Sequence, residues 1–251
     1  MADKETIKKL KNAAYDMRVD LLRLCYCAGI LHIGGDLSVT DIVTCLHQYV
    51  MKFDPKNPKW DGRDRFLLSK GHCAATVYMA QAHAGYFDKQ ELLNTYMSVD
   101  SRFGMHPCAE ALTSLEISTG SLGHGLSIAV GMALAARMDG KKHRVFVLVG
   151  DGESQEGTVW EGLMAGPNYK LGNLVLIIDR NRLSMDGPTE QYMTLEPYVE
   201  KLKAFNWNGV EVDGHDMEQL CNAFDNLPPV DSDVPVLILA HTLQRKGIDF
   251  M

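Results

Sequence analysis

Two short polar stretches, each placed directly after an apolar run, carry side chains that could do chemistry together. They are a Gly-Asp-Gly triplet at 150–152 and an Asp-Arg-Asn triplet at 179–181. Apolar runs of this length, separated by a helix-like stretch, predict parallel strands that are buried on both faces. Asp151 and Asn181 would then stand at the carboxyl ends of neighbouring strands, where open α/β sheets bind their ligands.

The residue types at these positions suit a hard metal ion and a phosphate group. Asp151 offers a carboxylate and Asn181 an amide oxygen, and their separation matches one βαβ unit of about 30 residues. Oxygen ligands without sulfur or imidazole favour Mg²⁺ or Ca²⁺ over zinc, and Mg²⁺ commonly completes its coordination with phosphate oxygens. Gly150 and Gly152 let the backbone approach a ligand closely, and the following helix start can donate to a phosphate. The segment therefore predicts a metal–diphosphate site.

The surrounding elements predict one doubly wound α/β domain, with a mostly parallel sheet and helices on both faces. Ser38 would cap the second helix, and the glycines at 29–35 would leave His32 in a loop. The irregular stretch 101–125 is long enough to be functional, and Pro167 must end or kink its helix. Helices are predicted over 6–24, 39–50, 73–84, 88–97, 126–138, 198–205 and 217–224, and strands over 66–68, 145–149, 174–178, 209–212 and 236–240.

Size and composition exclude several classes of protein. The chain has 251 residues, 46% hydrophobic and 23% charged, which is ordinary for a soluble globular protein. Its net charge of −7 argues against a nucleic-acid or anionic-membrane surface. We find no apolar run near the roughly 20 residues that span a bilayer and no signal peptide. The six cysteines form no CxxC pair, so we expect free thiols and a cytoplasmic protein.

With these motifs in place, the sequence resembles the transketolase family. Gly-Asp-Gly followed by Asn one βαβ unit later is similar to the thiamine-diphosphate motif of that family. Four further stretches occur in the family's order: His-Ile-Gly-Gly at 32–35, Ser-Lys-Gly-His at 69–72, Gly-Met-His-Pro at 104–107 and Thr-Gly-Ser-Leu-Gly-His-Gly at 119–125. The resemblance covers essentially the whole chain, but only the amino-terminal, diphosphate-binding part of a transketolase. It implies the thiamine-diphosphate-binding fold, with thiamine diphosphate and Mg²⁺, or Ca²⁺, as cofactors.

The resemblance also implies roles for individual positions. The metal ligands would be Asp151, Asn181 and the backbone carbonyl of Leu183. Gly120 and Leu122 would present backbone groups to the aminopyrimidine of the cofactor. The full set expected to bind the cofactor is His72, Gly120, Leu122, Gly150, Gly152, Glu153, Asn181, Met185 and His241. Met185 would pack on the thiazolium, and His241 joins the set because it follows a predicted strand, at a carboxyl end.

Four residues are expected to act in catalysis: His32, His72, His106 and Glu156. A single histidine is more often structural, but these three match the family's positions in order. By resemblance, His72 contacts the diphosphate, while His32 and His106 face the thiazolium and the substrate hydroxyls, where imidazoles can donate to an alkoxide and shuttle protons. Glu156, together with Glu161, would join a carboxylate network between two cofactor sites of a dimer. A helix N-terminus would equally explain an acid at Glu156.

These expectations describe the N-terminal subunit of a split transketolase, which transfers a two-carbon ketol unit from a ketose donor to an aldose acceptor. In the family, a glutamate on a downstream pyrimidine-binding domain activates the cofactor. We expect residues 1–251 to form the diphosphate-binding domain alone, with the pyrimidine-binding domain on a separate partner chain in a heterotetramer. The donor sugar, phosphorylated or sulfonated, stays open. So do three alternatives: a deoxyxylulose-phosphate-synthase-like enzyme, a 2-oxo-acid dehydrogenase subunit, and a non-catalytic cofactor-binding subunit.

Overall fold

A five-stranded, wholly parallel sheet organises the chain in the computed structural model, which describes residues 1–185 and 187–249. The strands lie in the order β1-β2-β3-β7-β6. A short antiparallel pair, β4 and β5, follows β3. The bounds are β1 Arg65–Leu68, β2 Val145–Gly150, β3 Leu174–Arg180, β4 Leu183–Ser184, β5 Gly187–Pro188, β6 Asn208–Asp213 and β7 Val236–His241.

Helices cover both faces of the sheet, as predicted for a doubly wound fold. One face carries α1 Lys4–Ala28, α2 Ile33–Cys45, α3 Ala74–His83, α4 Lys89–Thr95 and α9 Met217–Asp225. The other carries α5 His124–Met138, α6 Gly157–Asn168 and α8 Tyr198–Ala204, while the short α7 is Thr189–Tyr192. Side chains alternate along β3, so Ile177 packs in the first core and Ile178 in the second.

The start of α2 differs from the prediction. The helix begins at Ile33, with His32 as the residue before it, so the glycine pair lies inside the helix and not in a loop. The prediction that Ser38 caps this helix is therefore wrong, because Ser38 lies within it and donates to a buried aspartate, Asp179, at 2.7 Å. Glycine is needed at 35 because a Cβ there would lie 2.9 Å from the sulfur of Cys73.

Most other boundaries agree with the sequence to within a few residues. Pro167 lies one residue before the end of α6 at Asn168, so the helix ends at this proline, as predicted. Residues 96–123 contain neither helix nor strand, which matches the predicted irregular stretch. Within the described part of the chain, no helix is both long and apolar enough to cross a membrane. All six cysteines are free thiols, as expected.

Candidate functional site

The carboxyl edge of the sheet brings the two triplets together. Gly150 pairs with Asp179 in the register of β2 and β3, so the loops that follow these strands lie side by side. The Asp151 side chain is 1% exposed and accepts from the backbone of Arg182 at 2.6 Å. A Cβ on Gly152 would lie 3.3 Å from the carbonyl oxygen of Leu183. A side chain at 152 would therefore press against the loop that follows β3.

Asn181 is held in one orientation between these loops. Its amide nitrogen donates to Asp179 at 3.0 Å, and its amide oxygen accepts from the backbone of Leu183 at 3.0 Å. The oxygen keeps a second lone pair for another ligand. Asp151, Asn181 and the Leu183 carbonyl are thus hard oxygen donors on adjoining loops, a donor set that could hold Mg²⁺ or Ca²⁺. The Gly152 amide, expected to face a phosphate, donates to Oδ1 of Asp151 at 2.8 Å in this structure.

Asp179 and Lys70 form a buried ion pair that the sequence did not single out. Asp179 is fully buried, and its carboxylate accepts a hydrogen bond from Lys70 at 2.6 Å. It also accepts hydrogen bonds from Ser38, Asn181 and Thr242. Burial alone would raise the pKa of this carboxyl, but Lys70 and the hydrogen bonds hold it below its usual range. Asp179 therefore connects α2 with the segments that follow β1, β3 and β7. The only sequence signal was the position of these residues, a lysine shortly after the predicted strand 66–68 and an aspartate directly after the predicted strand 174–178.

Glu153 ties the Gly-Asp-Gly turn to the 119–125 loop. Its carboxylate is 4% exposed and accepts from Ser69 at 2.5 Å and from the backbone amides of Gly123 and Gly150, each at 2.9 Å. Burial raises its pKa, and these donors oppose that effect. In this structure, Glu153 holds loops in place; its expected contact with the cofactor stays a prediction.

The three histidines singled out from the sequence form one cluster. The ring centre of His32 lies 5.6 Å from that of His72 and 6.4 Å from that of His106. Burial, together with the nearby Lys70, lowers the pKa of His72 to about 3. Burial also lowers the pKa of His106. Neutral imidazoles at these two positions can both donate and accept hydrogen bonds at neutral pH.

The backbone around the cluster fixes its shape. The hydroxyl of Tyr78 donates to the carbonyl of His106 at 3.0 Å. Gly120 has a φ of +154°, and a Cβ there would lie 3.3 Å from the His106 ring. Leu122 contributes a carbonyl that bonds the ring of His124 at 3.1 Å. The 119–125 loop therefore packs directly against a candidate catalytic histidine.

The remaining predicted residues lie at the periphery of this cluster. Glu156 is the exposed residue before α6, as a helix N-terminus explains, and Glu161 is exposed on the same helix. Met185 is 99% exposed. His241 ends β7 at the carboxyl edge, as expected, but its ring bonds Glu211 on the edge strand at 2.9 Å. The roles expected for these residues stay predictions.

Comparison with known proteins gives one consistent result. Residues 12–248 match the family described as transketolase, thiamine diphosphate binding domain. The apulose-4-phosphate transketolase of Phocaeicola vulgatus has a subunit that is 42% identical, over 93% of this chain and 82% of that protein. The 6-deoxy-6-sulfo-D-fructose transketolase subunit SqwG of a Clostridium species is 38% identical, over 88% of this chain and 80% of that protein.

Longer transketolases match only in part. The crystal structure of the Campylobacter jejuni transketolase aligns with a TM-score of 0.88 and 31% identity, over 96% of this chain and 38% of that one. Human transketolase is 36% identical, over 98% of this chain and 39% of that protein. The chain thus spans about two fifths of these longer proteins. Its matches, its fold and the arrangement of its loops agree: the chain belongs to the transketolase family and carries that family's thiamine-diphosphate-binding domain.

Proposed function

We propose that this chain is the diphosphate-binding subunit of a two-chain transketolase, which moves a two-carbon ketol unit from a ketose to an aldose. The observation that carries the proposal is that the histidine cluster and the hard oxygen donors lie at the same edge of the sheet. His72 of the histidine cluster follows β1, and the hard oxygen donors follow β2 and β3. Lys70, two residues before His72, reaches Asp179, which in turn orients Asn181. The Lys70–Asp179 ion pair therefore connects the proposed cation–diphosphate site to the groups that would transfer protons.

The donor set fits Mg²⁺ held by Asp151, Asn181 and the Leu183 carbonyl. No trio of His, Cys, Asp and Glu side chains is grouped for a metal in the described residues, and this site needs only one carboxylate. Thiamine diphosphate, when bound, supplies the carbanion chemistry. His72 and His106, with lowered pKa values, would donate to and accept from the reacting hydroxyls. Glu156 and Glu161, exposed on one helix, would lie toward a second copy of the site.

We infer a partner chain from the relatives. Two of them are named as subunits. One is a subunit of an apulose-4-phosphate transketolase, and the other is a subunit of a 6-deoxy-6-sulfo-D-fructose transketolase. Residues 1–251 would form one diphosphate-binding domain, and the partner would bring the pyrimidine-binding domain in a cytoplasmic heterotetramer. A phosphorylated or sulfonated sugar would be the substrate. The histidine cluster favours transketolase over a dehydrogenase subunit.

The test is ketol transfer from xylulose 5-phosphate to ribose 5-phosphate by the tagged chain, isolated with the polypeptide that its native cells attach. We expect transfer that requires thiamine diphosphate and Mg²⁺ and disappears when the second polypeptide is removed. A preparation with bound cofactor and partner is also given sulfonated and branched ketoses. If it transfers a ketol unit from none of these donors, the proposed reaction is wrong.

A further inference from the structure

Arg180, the last residue of β3, has no part in the function proposed above, yet its side chain is only 1% exposed. It is among the largest fully buried side chains in the described residues. A guanidinium stays charged at any pH that the protein meets, and a buried charge is costly unless it is paired. The position of this cation beside a proposed metal ligand therefore needs an explanation.

Alternation along β3 directs two neighbouring residues to opposite sides of the strand end. Asp179 continues the row that packs toward α2 and bonds Lys70. Arg180 continues the row that packs toward α5 and α6 and bonds Asp151. The two carboxylates at this edge thus each have their own cation, one on each side of the sheet.

Arg180 shares its charge among three carboxylates. One terminal nitrogen donates to Oδ2 of Asp151 at 3.0 Å and to the hydroxyl of Thr189 at 2.9 Å. The other donates to Glu190 at 3.1 Å and to Glu196 at 2.8 Å. The Asp151 side chain is 1% exposed, while those of Glu190 and Glu196 are 35% and 49% exposed. The guanidinium therefore lies between one buried and two partly exposed acids.

Asp151 does not need Arg180 to hold its orientation. The backbone amides of Gly152 and Arg182 donate to Oδ1 and Oδ2 at 2.8 and 2.6 Å. A carboxylate offers about four acceptor positions, and Oδ1 keeps one that these donors do not use. What Arg180 adds is a positive charge beside the oxygen atoms that a metal ion would use.

We propose that Arg180 is the resident counter-ion of Asp151 and limits how tightly the proposed metal site holds a divalent cation, and that the negative charges of Glu190 and Glu196 weaken its effect on Asp151. The inference rests on the metal site proposed above. Two cations that share one carboxylate repel each other, so each weakens the other's binding. Removing the charge of Arg180 must strengthen metal binding, and removing the charges of both glutamates must weaken it.

We would test these opposite effects by measuring Mn²⁺ binding with electron paramagnetic resonance, using the chain in complex with its partner polypeptide at saturating thiamine diphosphate. We expect Arg180→Met to lower the Kd for Mn²⁺ by at least about fivefold, and Glu190→Gln/Glu196→Gln to raise it by at least about fivefold, the lower end of typical coupling between sites. Arg180→Lys keeps the charge and should bind like the wild type. The matched control is Glu200→Gln, an exposed acid close in sequence for which the structure gives no bond to Arg180.

The increase in Tm caused by Mn²⁺ is the second measurement, and we expect it to be larger in Arg180→Met than in the wild type. A purely structural role for Arg180 would leave metal affinity unchanged or weaken it in that variant, and either result overturns the proposal. If Arg180→Met does not fold, the double glutamine variant decides, and binding equal to that of Glu200→Gln overturns the proposal. A wild-type complex that binds no Mn²⁺ with the cofactor would remove the metal site on which both proposals rest, whereas a wild-type complex that binds Mn²⁺ without the expected changes in the variants overturns this inference alone.

Discussion

Burial controls the charge of the most important histidine of the cluster. Burial and the neighbouring Lys70 lower the pKa of His72 to about 3, far below the usual value near 6.5. The ring is therefore neutral throughout the physiological range. In this state His72 can both donate and accept hydrogen bonds, and it carries no permanent positive charge.

This property gives a direct prediction for solution. In NMR spectra of the chain, the ring resonances of His72 should show no titration between pH 8 and pH 5, because the lowered pKa keeps the ring neutral. Since folding favours the neutral ring, the stability from this group is complete above the unfolded pKa and falls as pH drops below about 6.5. His72→Gln identifies the resonance. A midpoint above pH 6 would contradict the buried, neutral ring.

Asp36 is a second buried group with an unusual pKa. It is fully buried in α2 and accepts from the backbone and hydroxyl of Thr76 at 3.1 and 2.8 Å through one oxygen. Its other oxygen has no hydrogen-bond partner among the described residues. Burial raises the pKa of Asp36 to about 7, although the bonds from Thr76 oppose this. The acid is thus partly protonated at neutral pH.

We predict that Asp36→Asn becomes stabilising as pH rises. A raised pKa means that folding favours the protonated acid, so wild-type stability from this group is lost between pH 4 and pH 7. The amide carries no charge and escapes that loss, which amounts to about 4 kcal/mol at most. Urea unfolding of both proteins at pH 5 and pH 8 measures the difference. Asp16→Asn, at an exposed position of α1, is the control, and equal effects of the two substitutions would refute the argument.

At the scale of elements, the sequence predicted the sheet well because its signals are local. Residues 145–149 of β2 and 174–178 of β3 are unbroken runs of Val, Leu, Ile and Phe, and such runs predict buried parallel strands. The start of α2 was missed because Gly34 and Gly35 are common loop residues. In the fold, Gly34 packs against the side chain of Gln244, and a Cβ on Gly35 would lie 2.9 Å from the sulfur of Cys73. Contacts with residues so distant in the chain cannot be read from the sequence around the two glycines.

The sequence singled out residues that the fold brings close together, but it gave no indication of their hydrogen bonds. His32, His72, His106, Asp151 and Asn181 were identified because each lies in a short motif. The partners of Asp179 and Arg180 could not be identified in this way. Ser38 and Asp179 are 141 positions apart, and only the folded register brings them together.

Glu153 gives a prediction at this scale, because one carboxylate fixes three separate loops. Glu153→Gln replaces an oxygen by an NH₂ group that faces donors, so at least one buried hydrogen bond is lost, at about 1–3 kcal/mol. We expect a lower Tm and weaker binding of thiamine diphosphate, measured by calorimetry. Glu200→Gln, at an exposed position of α8, should change neither. Cofactor affinity equal to the wild type would show that these loops do not need this carboxylate.

At the scale of the whole molecule, the proposed function predicts that cofactor binding stabilises the fold. A ligand that binds only the folded chain adds about 2.7 kcal/mol to the free energy of unfolding at 100 times its Kd. Thiamine diphosphate with Mg²⁺ should produce this increase in the wild type, measured by urea unfolding. Asp151→Ala should show none, whereas Asp100→Ala, in an exposed loop, should behave as the wild type. An equal increase in Asp151→Ala would place the metal elsewhere.

The long-range bonds of Asp179 have a consequence for the life of the protein in a cell. This carboxylate accepts hydrogen bonds from α2, from the segment after β1 and from the segment after β7, so these bonds form only when β1, β3 and β7 lie in one sheet. A nascent or damaged chain cannot form them. Thiamine diphosphate would therefore protect finished chains from proteases and leave incomplete ones exposed. The supply of thiamine diphosphate would then set how much of this protein accumulates, because it would control the rate of degradation and not the rate of synthesis.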